Sequence, residues 1–445
     1  MKKKRAALHN LGCKVNAYET EAMQQMLESA GYEIVPFQEV ADVYVVNTCS
    51  VTNMADRKSR QMLHRAKKNN PDAIVIAAGC YVQTKEAEAL LDGTVDIVIG
   101  NNKKHELLER IRAYEEDHGD RESVADINHE KQEYEELYLE RTAEHTRAFI
   151  KVQDGCNQFC SYCIIPYTRG RVRSRRPEEV VAEVRELAAA GYQEVVLTGI
   201  HLSSYGVDFK EKENENLLSL IRQVHEVEGI RRIRLGSLEP RIITDDFAKA
   251  LASMPKFCPH FHLSLQSGCD ETLKRMNRHY TTEEYAAGCD ILRRYFDNPA
   301  ITTDVIVGFP GETEEEFEAT KAFLERIGFY EMHIFKYSRR AGTRADRMPE
   351  QVPEQIKNVR SEALLLLEKQ MSKAYRESFL GKKKTVLLEE KTEIEGRAYM
   401  IGHTMEYVKA VVPYADDLKN KMTEGVLKEA LNDEVLLLDE SWKVV

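Results

Sequence analysis

The sequence lacks any apolar run long enough to cross a bilayer. Its start, Met1-Lys2-Lys3-Lys4-Arg5, is basic, but the apolar segment that follows is short and is broken by His9 and Asn10. That leaves no signal-peptide core and no anchor, so a cytoplasmic protein without a membrane partner is expected. Positive charge is also in deficit. The net charge of −11 argues against indiscriminate nucleic-acid binding, although distribution matters more than the sum. Basic groups do crowd at Arg57, Lys58, Arg60, Arg65, Lys67 and Lys68, at Arg169, Arg171, Arg173, Arg175 and Arg176, and at Lys336, Arg339, Arg340, Arg344 and Arg347, while acidic residues concentrate at 115–144. A basic face on an acidic protein follows from that layout.

With 445 residues, 42% hydrophobic and 31% charged, the chain has the balance of a globular protein and room for about two to four domains. Its nine cysteines, in a cytoplasmic setting, read as metal ligands or free thiols rather than disulfides. Cys258, Cys269 and Cys289 have no cluster spacing and are expected to be buried free thiols.

Gly155-Cys156-Asn157-Gln158-Phe159-Cys160-Ser161-Tyr162-Cys163 contains a Cys-x3-Cys-x2-Cys triplet. Three thiolates hold three irons of a [4Fe–4S] cube that normally takes four, and the fourth iron is left open. An open metal position is a catalytic device. The alternative is a structural zinc knot, which needs a closed set of four ligands in short pairs, and no such partner follows Cys163. With Tyr162 before its last cysteine, the triplet resembles the signature of the radical S-adenosylmethionine enzymes. The resemblance implies that the open iron takes the amino and carboxylate groups of S-adenosylmethionine and that an electron breaks the sulfonium to give a 5′-deoxyadenosyl radical.

Residues 1–114 alternate short apolar runs at 5–11, 42–47, 73–78 and 96–99 with amphipathic stretches at 17–30, 54–69, 85–91 and 104–112. This strand–helix alternation predicts a mostly parallel α/β sheet. Cys13, Cys49 and Cys80 each fall one or two residues past an expected strand, at the edge where open α/β sheets bind ligands. Three thiols from consecutive units would converge there on a second iron–sulfur cluster with one open iron; three unrelated buried cysteines are the alternative. Residues 115–146 are acidic and aperiodic and read as a linker.

Residues 147–380 predict six strands at 148–153, 194–197, 232–235, 260–265, 301–307 and 331–337. Helices are predicted at 177–190, 217–227, 245–254, 282–295 and 313–327, with a closing helix at 353–380 whose Leu364 to Leu367 run packs on the domain. Six such units suit a partial (β/α)6 barrel, the fold the resemblance implies, with the triplet at the mouth where barrel enzymes place their chemistry. Cofactor contacts are expected from Tyr162 and from later strand ends: Gly199, Glu239, Gln266, and Gly308 and Gly311 of a segment similar to the one that meets adenine in the family. Residues 381–445 change to an alternating pattern with five short strands, at 385–390, 396–401, 407–412, 425–431 and 434–438, a small antiparallel barrel that looks like the RNA-binding TRAM domain; a structural cap is the alternative.

With both cysteine sets in view, the whole chain resembles the methylthiotransferases. The stretch from Gly155 to Arg169 is a specific match, and Asn47-Thr48-Cys49 and Gly79-Cys80 match the family's N-terminal domain. Asn47-Thr48-Cys49-Ser50-Val51-Thr52 with Ala55-Asp56-Arg57-Lys58-Ser59-Arg60-Gln61 looks most like the branch acting on N6-threonylcarbamoyladenosine in tRNA; sister branches act on isopentenyladenosine or on a ribosomal-protein aspartate. The resemblance implies two [4Fe–4S] clusters, S-adenosylmethionine, and a methylthio group placed on C2 of adenine 37 in the anticodon stem-loop. It also implies an electron donor and a sulfur donor that no motif identifies. C2–H is not acidic and its carbon is a poor electrophile, so acid–base catalysis has little purchase there. Arg169, Arg171, Arg173 and Arg175 would contact the RNA; the alternatives are a solvated loop or a contact to the S-adenosylmethionine carboxylate. A non-catalytic, metal-dependent RNA-binding protein is the distant rival. No motif marks the residues that would grip the threonylcarbamoyl group.

Overall fold

The computed structural model describes residues 3–84, 93–117, 121–139, 146–209 and 215–445. The helix expected at 85–91 lies outside them. No described helix is long and apolar enough to cross a membrane.

The N-terminal region runs β1 (Arg5–Asn10), α1 (Lys14–Ser29), β2 (Glu33–Ile34), β3 (Val43–Thr48), α2 (Asn53–Asn69), β4 (Ile74–Gly79), β5 (Ile97–Ile99), α3 (Leu107–Asp117) and β6 (Glu122–Ser123). Its sheet has the order β2-β1-β3-β4-β5-β6 and every pairing is parallel. Both faces are covered, which is why the strands read as unbroken apolar runs. Val43 and Val45 pack with Met23 and Leu27 of α1 and Leu107 and Ile111 of α3; Tyr44 and Val46 pack with Leu63 and Ala66 of α2. Thr52 caps α2, its side chain accepting from the Ala55 amide at 3.1 Å.

Of the stretch 115–146, expected as a linker, the described residues 115–117 and 121–139 include packed structure. Helix α3 extends to Asp117 and β6 completes the sheet. Beyond it, Leu137 and Leu139 bury against Tyr18 and Ala22 of α1, and the Tyr18 hydroxyl donates to the Leu137 carbonyl at 2.6 Å. Two leucines among many carboxylates set up no period, yet they suffice to pin the strap.

The middle region holds β7 (Ala148–Asp154), α4 (Ile165–Arg169), β8 (Arg173–Ser174), α5 (Pro177–Ala189), β9 (Glu194–Gly199), α6 (Leu217–His225), β10 (Arg232–Leu235), α7 (Asp245–Ala252), β11 (His260–His262), α8 (Asp270–Arg275), α9 (Thr282–Tyr295), β12 (Ala300–Val307), α10 (Glu314–Ile327), β13 (Glu331–Lys336) and α11 (Glu354–Glu377). Sheets β8-β7-β9-β10 and β11-β12-β13 are joined by the bridges Ile233–Phe257 and Leu238–Leu263, so six parallel strands make one curved wall edged by antiparallel β8. The strand expected at 260–265 stops at His262 and continues only as single bridges at Leu263 and Gln266, the latter with a left-handed backbone at φ +75°. On α11, Leu364 is buried and Leu367 packs against the core, whereas Leu365 and Leu366 turn outward with the helical period.

The C-terminal region is β14 (Lys383–Ile394), β15 (Arg397–Thr404), β16 (Lys409–Pro413), β17 (Met422–Ala430), β18 (Leu436–Leu438) and β19 (Lys443–Val444). Strand β14 pairs with both β15 and β17, which closes the sheet into a small barrel. It caps the end of the curved wall where the strands begin. Arg232 donates to the carbonyls of His403 and Thr385 at 2.8 and 2.7 Å, and the Tyr407 ring stacks on His260 at 4.6 Å. The opposite end, where strands finish, is left for chemistry.

Candidate active site: two thiol triplets on one buried ion network

The first triplet leaves β7 through a turn that only glycine allows. Gly155 has φ +70°, and a Cβ there would lie 1.9 Å from the Arg171 carbonyl oxygen. The Cys156 amide donates to the Gly170 carbonyl at 3.0 Å and the Cys163 amide to the Cys160 carbonyl at 3.0 Å, so the loop folds back on itself. Donors point at the sulfurs: the Gln158 amide reaches Cys156 Sγ at 3.5 Å, and Arg278 Nη1 reaches Cys160 Sγ at 3.3 Å. Burial pushes the Cys156 thiol up to about 11 and Cys163 higher still, with the neighbouring thiols adding to the rise. A metal's charge is what turns such thiols into thiolates.

The second triplet is assembled by the sheet. Parallel register sets Asn10 beside Asn47 and Thr48 beside Gly79, so Cys13, Cys49 and Cys80 emerge along one edge. Gly12, at φ +104°, has no room for a side chain, since a Cβ would sit 2.8 Å from Cys49 Sγ. Asn101 Nδ2 donates both to Cys80 Sγ at 3.5 Å and to the Thr168 carbonyl of α4 at 2.8 Å. The second set therefore abuts the helix that follows Cys163. Burial pushes Cys49 up to about 12, helped by the thiols of Cys80 and Cys13.

Between the triplets runs a buried ion network. Arg169 is fully buried and donates to Glu19 at 2.9 Å, to Asp154 at 3.0 Å and to Asn16 at 2.6 Å. Lys151 pairs with Glu19 and Asp154 at 2.7 Å each, and Lys104 with Glu19 at 3.1 Å. Burial alone would raise both carboxyls, but Arg169 and the lysines outweigh it and hold Glu19 and Asp154 below the usual carboxylate range. Because Asn16 and Glu19 follow Cys13 on α1 while Arg169 follows Cys163, the network fixes one triplet relative to the other. On the far edge, Arg340 pairs with Asp56 and Ser50, and Asn53 Nδ2 donates to the Arg339 carbonyl at 2.9 Å.

This corrects the expectation of an arginine surface for RNA. Arg169, Arg173 and Arg175 are buried: Arg173 donates to the carbonyls of Arg169 and Arg171 at 2.8 and 3.0 Å, and Arg175 pairs with Glu183 and approaches the Tyr18 hydroxyl at 3.3 Å. Arg171 alone of the four is exposed, lying over the Phe159 ring at 4.5 Å. Sequence shows where charge is, not whether a carboxylate 150 positions away already holds it.

The other expected contacts cluster at the strand ends. Tyr162 meets Phe309 edge-on at 6.4 Å, beside Gly308 and Gly311, which have φ +70° and +76°. Gly308 donates to Glu312 Oε1 at 2.8 Å, and a Cβ there would strike Lys357 Cγ at 2.3 Å. Gly199 lies against Gln153, Gln266 bridges to β12, and Glu239 accepts from Arg241 at 2.7 Å. Sequence reasoning missed Arg278, which nothing in the spacing ties to Cys160. It also missed His262, Asp304 and His333 on β11, β12 and β13, among the described residues the one His/Cys/Asp/Glu group whose ligand atoms all lie within 4.8 Å of one another. Each set offers three thiols and is reached by N–H donors, and three ligands are what an iron–sulfur cube with one open iron takes.

Comparison with known proteins adds likenesses to two family models, two relatives and a solved structure. Residues 150–324 match the family model described as Radical SAM superfamily, and residues 5–100 the one described as Uncharacterized protein family UPF0004. The chain is 44% identical to threonylcarbamoyladenosine tRNA methylthiotransferase MtaB of Bacillus subtilis (strain 168), over 95% of this chain and 94% of that one. It is 38% identical to tRNA-2-methylthio-N(6)-dimethylallyladenosine synthase of Thermoanaerobacter sp. (strain X514), over 86% and 81%. Among solved structures, the radical S-adenosylmethionine methyltransferase TsrM from Kitasatospora setae superposes with a TM-score of 0.56 over 75% of each chain at 16% identity, a likeness of fold.

Proposed function

This chain belongs to the radical S-adenosylmethionine tRNA methylthiotransferases, and from that premise we propose that it converts N6-threonylcarbamoyladenosine at position 37 of tRNA to its 2-methylthio derivative. It is an enzyme that uses S-adenosylmethionine and two [4Fe–4S] clusters. We assign Cys156, Cys160 and Cys163 to the cluster that binds S-adenosylmethionine, and Cys13, Cys49 and Cys80 to the auxiliary cluster. Bound there, the cofactors supply a 5′-deoxyadenosyl radical and a methylated sulfur for C2 of the adenine.

The chain's own residues position that chemistry. Arg278 donates to Cys160 Sγ and Asn101 to Cys80 Sγ, tuning the sulfurs of each set. The Arg169 network ties the two sets to one frame. Tyr162, Gly199, Glu239, Gln266, Gly308 and Gly311 ring the mouth and are assigned to S-adenosylmethionine. The anticodon stem-loop is the substrate body, the closed C-terminal barrel is read as its TRAM module, and a separate electron donor and sulfur donor complete the reaction in the cytoplasm.

The observation that carries this reading is the pairing of two three-thiol sets through one buried network, in a chain this similar to a threonylcarbamoyladenosine methylthiotransferase. The test is mass analysis of tRNA nucleosides from a strain lacking the gene. The 2-methylthio-threonylcarbamoyl nucleoside should vanish and its unthiolated precursor accumulate. Loss of the dimethylallyl product instead would move the enzyme to the sister substrate.

A further inference from the structure

A tRNA is a polyanion, yet this chain carries a net charge of −11 and many of its basic groups are already engaged. Arg169, Arg173 and Arg175 are buried on carboxylates and carbonyls. After β13, Lys336 pairs with Glu354 at 2.7 Å, Arg339 with Asp346 at 3.0 Å, and Arg340 with Asp56. In the C-terminal barrel, Lys383 pairs with Glu424 at 2.6 Å and Lys384 with Glu406. Helix α2 differs.

Its buried residues, Asp56, Ser59, Leu63 and Ala66, lie on the side that packs against β3 and β4. At about 100° per residue, Arg57, Lys58, Gln61, His64, Arg65 and Lys68 fall on the opposite side within about a third of the circumference, and all six are exposed. Asp56 is the one acidic residue of α2, and it is turned inward to Arg340. Arg60 and Lys67, off the stripe, are held by the Tyr81 hydroxyl at 3.0 Å and by Asp96 at 2.7 Å. Arg57, Lys58, Arg65 and Lys68 make no ion pair or side-chain hydrogen bond with a described residue. The helix starts at Asn53, just after Cys49, and the exposed apolar side chains of Val51 and Met54 stand at that end.

We propose that this stripe is where the enzyme holds its RNA: Arg57, Lys58, Arg65 and Lys68 take backbone phosphates of the anticodon stem-loop, and Val51 and Met54 face bases at the end nearest Cys49. The inference rests on the tRNA reading of the substrate, but not on which modified adenosine that tRNA bears. Four uncompensated cations in one row of about 16 Å match the regular charge of a sugar–phosphate strand. An acidic protein is the other polyanion that such a row could meet. An electron carrier, however, serves the Cys156 loop, whereas the stripe leads away from the sheet edge where Cys49 emerges. Phosphate contacts position an RNA without reading its bases, so they hold the modified and unmodified loop alike.

The test measures binding of anaerobically reconstituted protein to the anticodon stem-loop across a range of salt, with and without the threonylcarbamoyl group. A variant carrying Arg57→Gln, Lys58→Gln, Arg65→Gln and Lys68→Gln should bind both loops about 10-fold or more weakly at about 0.1 M salt, and the slope of log affinity against log salt should fall by about 3. Its iron content and its deoxyadenosine formation without RNA should stay at wild type. A control carrying Arg185→Gln, Arg222→Gln and Lys249→Gln, at exposed positions of α5, α6 and α7, removes cations elsewhere and should bind as wild type does. Wild-type affinity and slope in the stripe variant, or an equal loss in the control, overturns the inference. RNA affinity that holds while reduction of the clusters by flavodoxin slows gives the stripe to an acidic protein and overturns it as well. A wild type that binds neither stem-loop overturns the tRNA reading and this inference together, whereas one that methylthiolates only a dimethylallyl loop overturns the threonylcarbamoyl substrate and leaves the stripe in place.

Discussion

Cys156, Cys160 and Cys163 sit within eight residues of one loop, whereas Cys13, Cys49 and Cys80 come from three strand ends of one sheet. The loop set needs only a glycine turn and a few local hydrogen bonds to approach its geometry. The sheet set exists only once β1, β3 and β4 have paired, so metal binding there is coupled to the folding of the whole N-terminal region. The donors differ too: a guanidinium reaches the first set and a neutral carboxamide the second. On the reading proposed above, the first set receives electrons and the second is held in position.

The sharpest break between the two is functional. Cys160→Ala should abolish cleavage of S-adenosylmethionine, read as loss of 5′-deoxyadenosine, and about four of about eight irons should remain. Cys49→Ala should leave deoxyadenosine formation at the wild-type order of magnitude while methylthiolated product disappears. Product from the second variant would remove the reason for an auxiliary cluster.

The next test severs the joint. Arg169→Met removes the guanidinium that Glu19 and Asp154 share, leaving Lys151 to both and Lys104 to Glu19, and should cost up to about 3–5 kcal/mol, a fall in melting midpoint of roughly 5–15 °C. Both carboxyls titrate below their unfolded values, so the stability they confer is full above the ordinary carboxylate pKa of about 4 and drains away as pH falls beneath it. Wild type should lose stability through that acid window and the variant should show less slope. A variant that melts with wild type would mean that the Lys151–Glu19 pair, the Asn101–Thr168 bond and the Arg340 contacts hold the two halves together without it.

The same contrast explains what could be read from the chain. The loop triplet was legible because its ligands are neighbours in sequence, and the sheet triplet because Val43 to Asn47 and Ile74 to Ala78 announce buried parallel strands. Arg169, Arg173 and Arg175 misled because a run of arginines after a catalytic loop carries no mark of Glu19, Asp154 and Glu183, the partners that bury it. Leu137 and Leu139 were lost in an acidic stretch for the same reason. The cluster of His262, Asp304 and His333 had no sequence signal at all, since its members are spread over β11, β12 and β13 and meet only when those strands pair.

The smallest effect compares the two donors directly. Reduction adds negative charge to a cluster, and the Arg278 guanidinium, 3.3 Å from Cys160 Sγ, stabilises the reduced form. Arg278→Gln should make the first cluster harder to reduce by about 1 kcal/mol, on the order of 40–50 mV for one electron, and slow deoxyadenosine formation accordingly. Asn101→Ala removes a neutral donor at 3.5 Å from Cys80 Sγ and should move the auxiliary cluster by less. Redox titration followed by electron paramagnetic resonance resolves both. Equal shifts would mean that the charge on Arg278 adds nothing beyond its hydrogen bond. Solvent access would not supply the difference in its place, because each set mixes buried and open thiols: Cys156 is buried with Cys160 and Cys163 half-buried, and Cys49 and Cys80 are buried with Cys13 exposed.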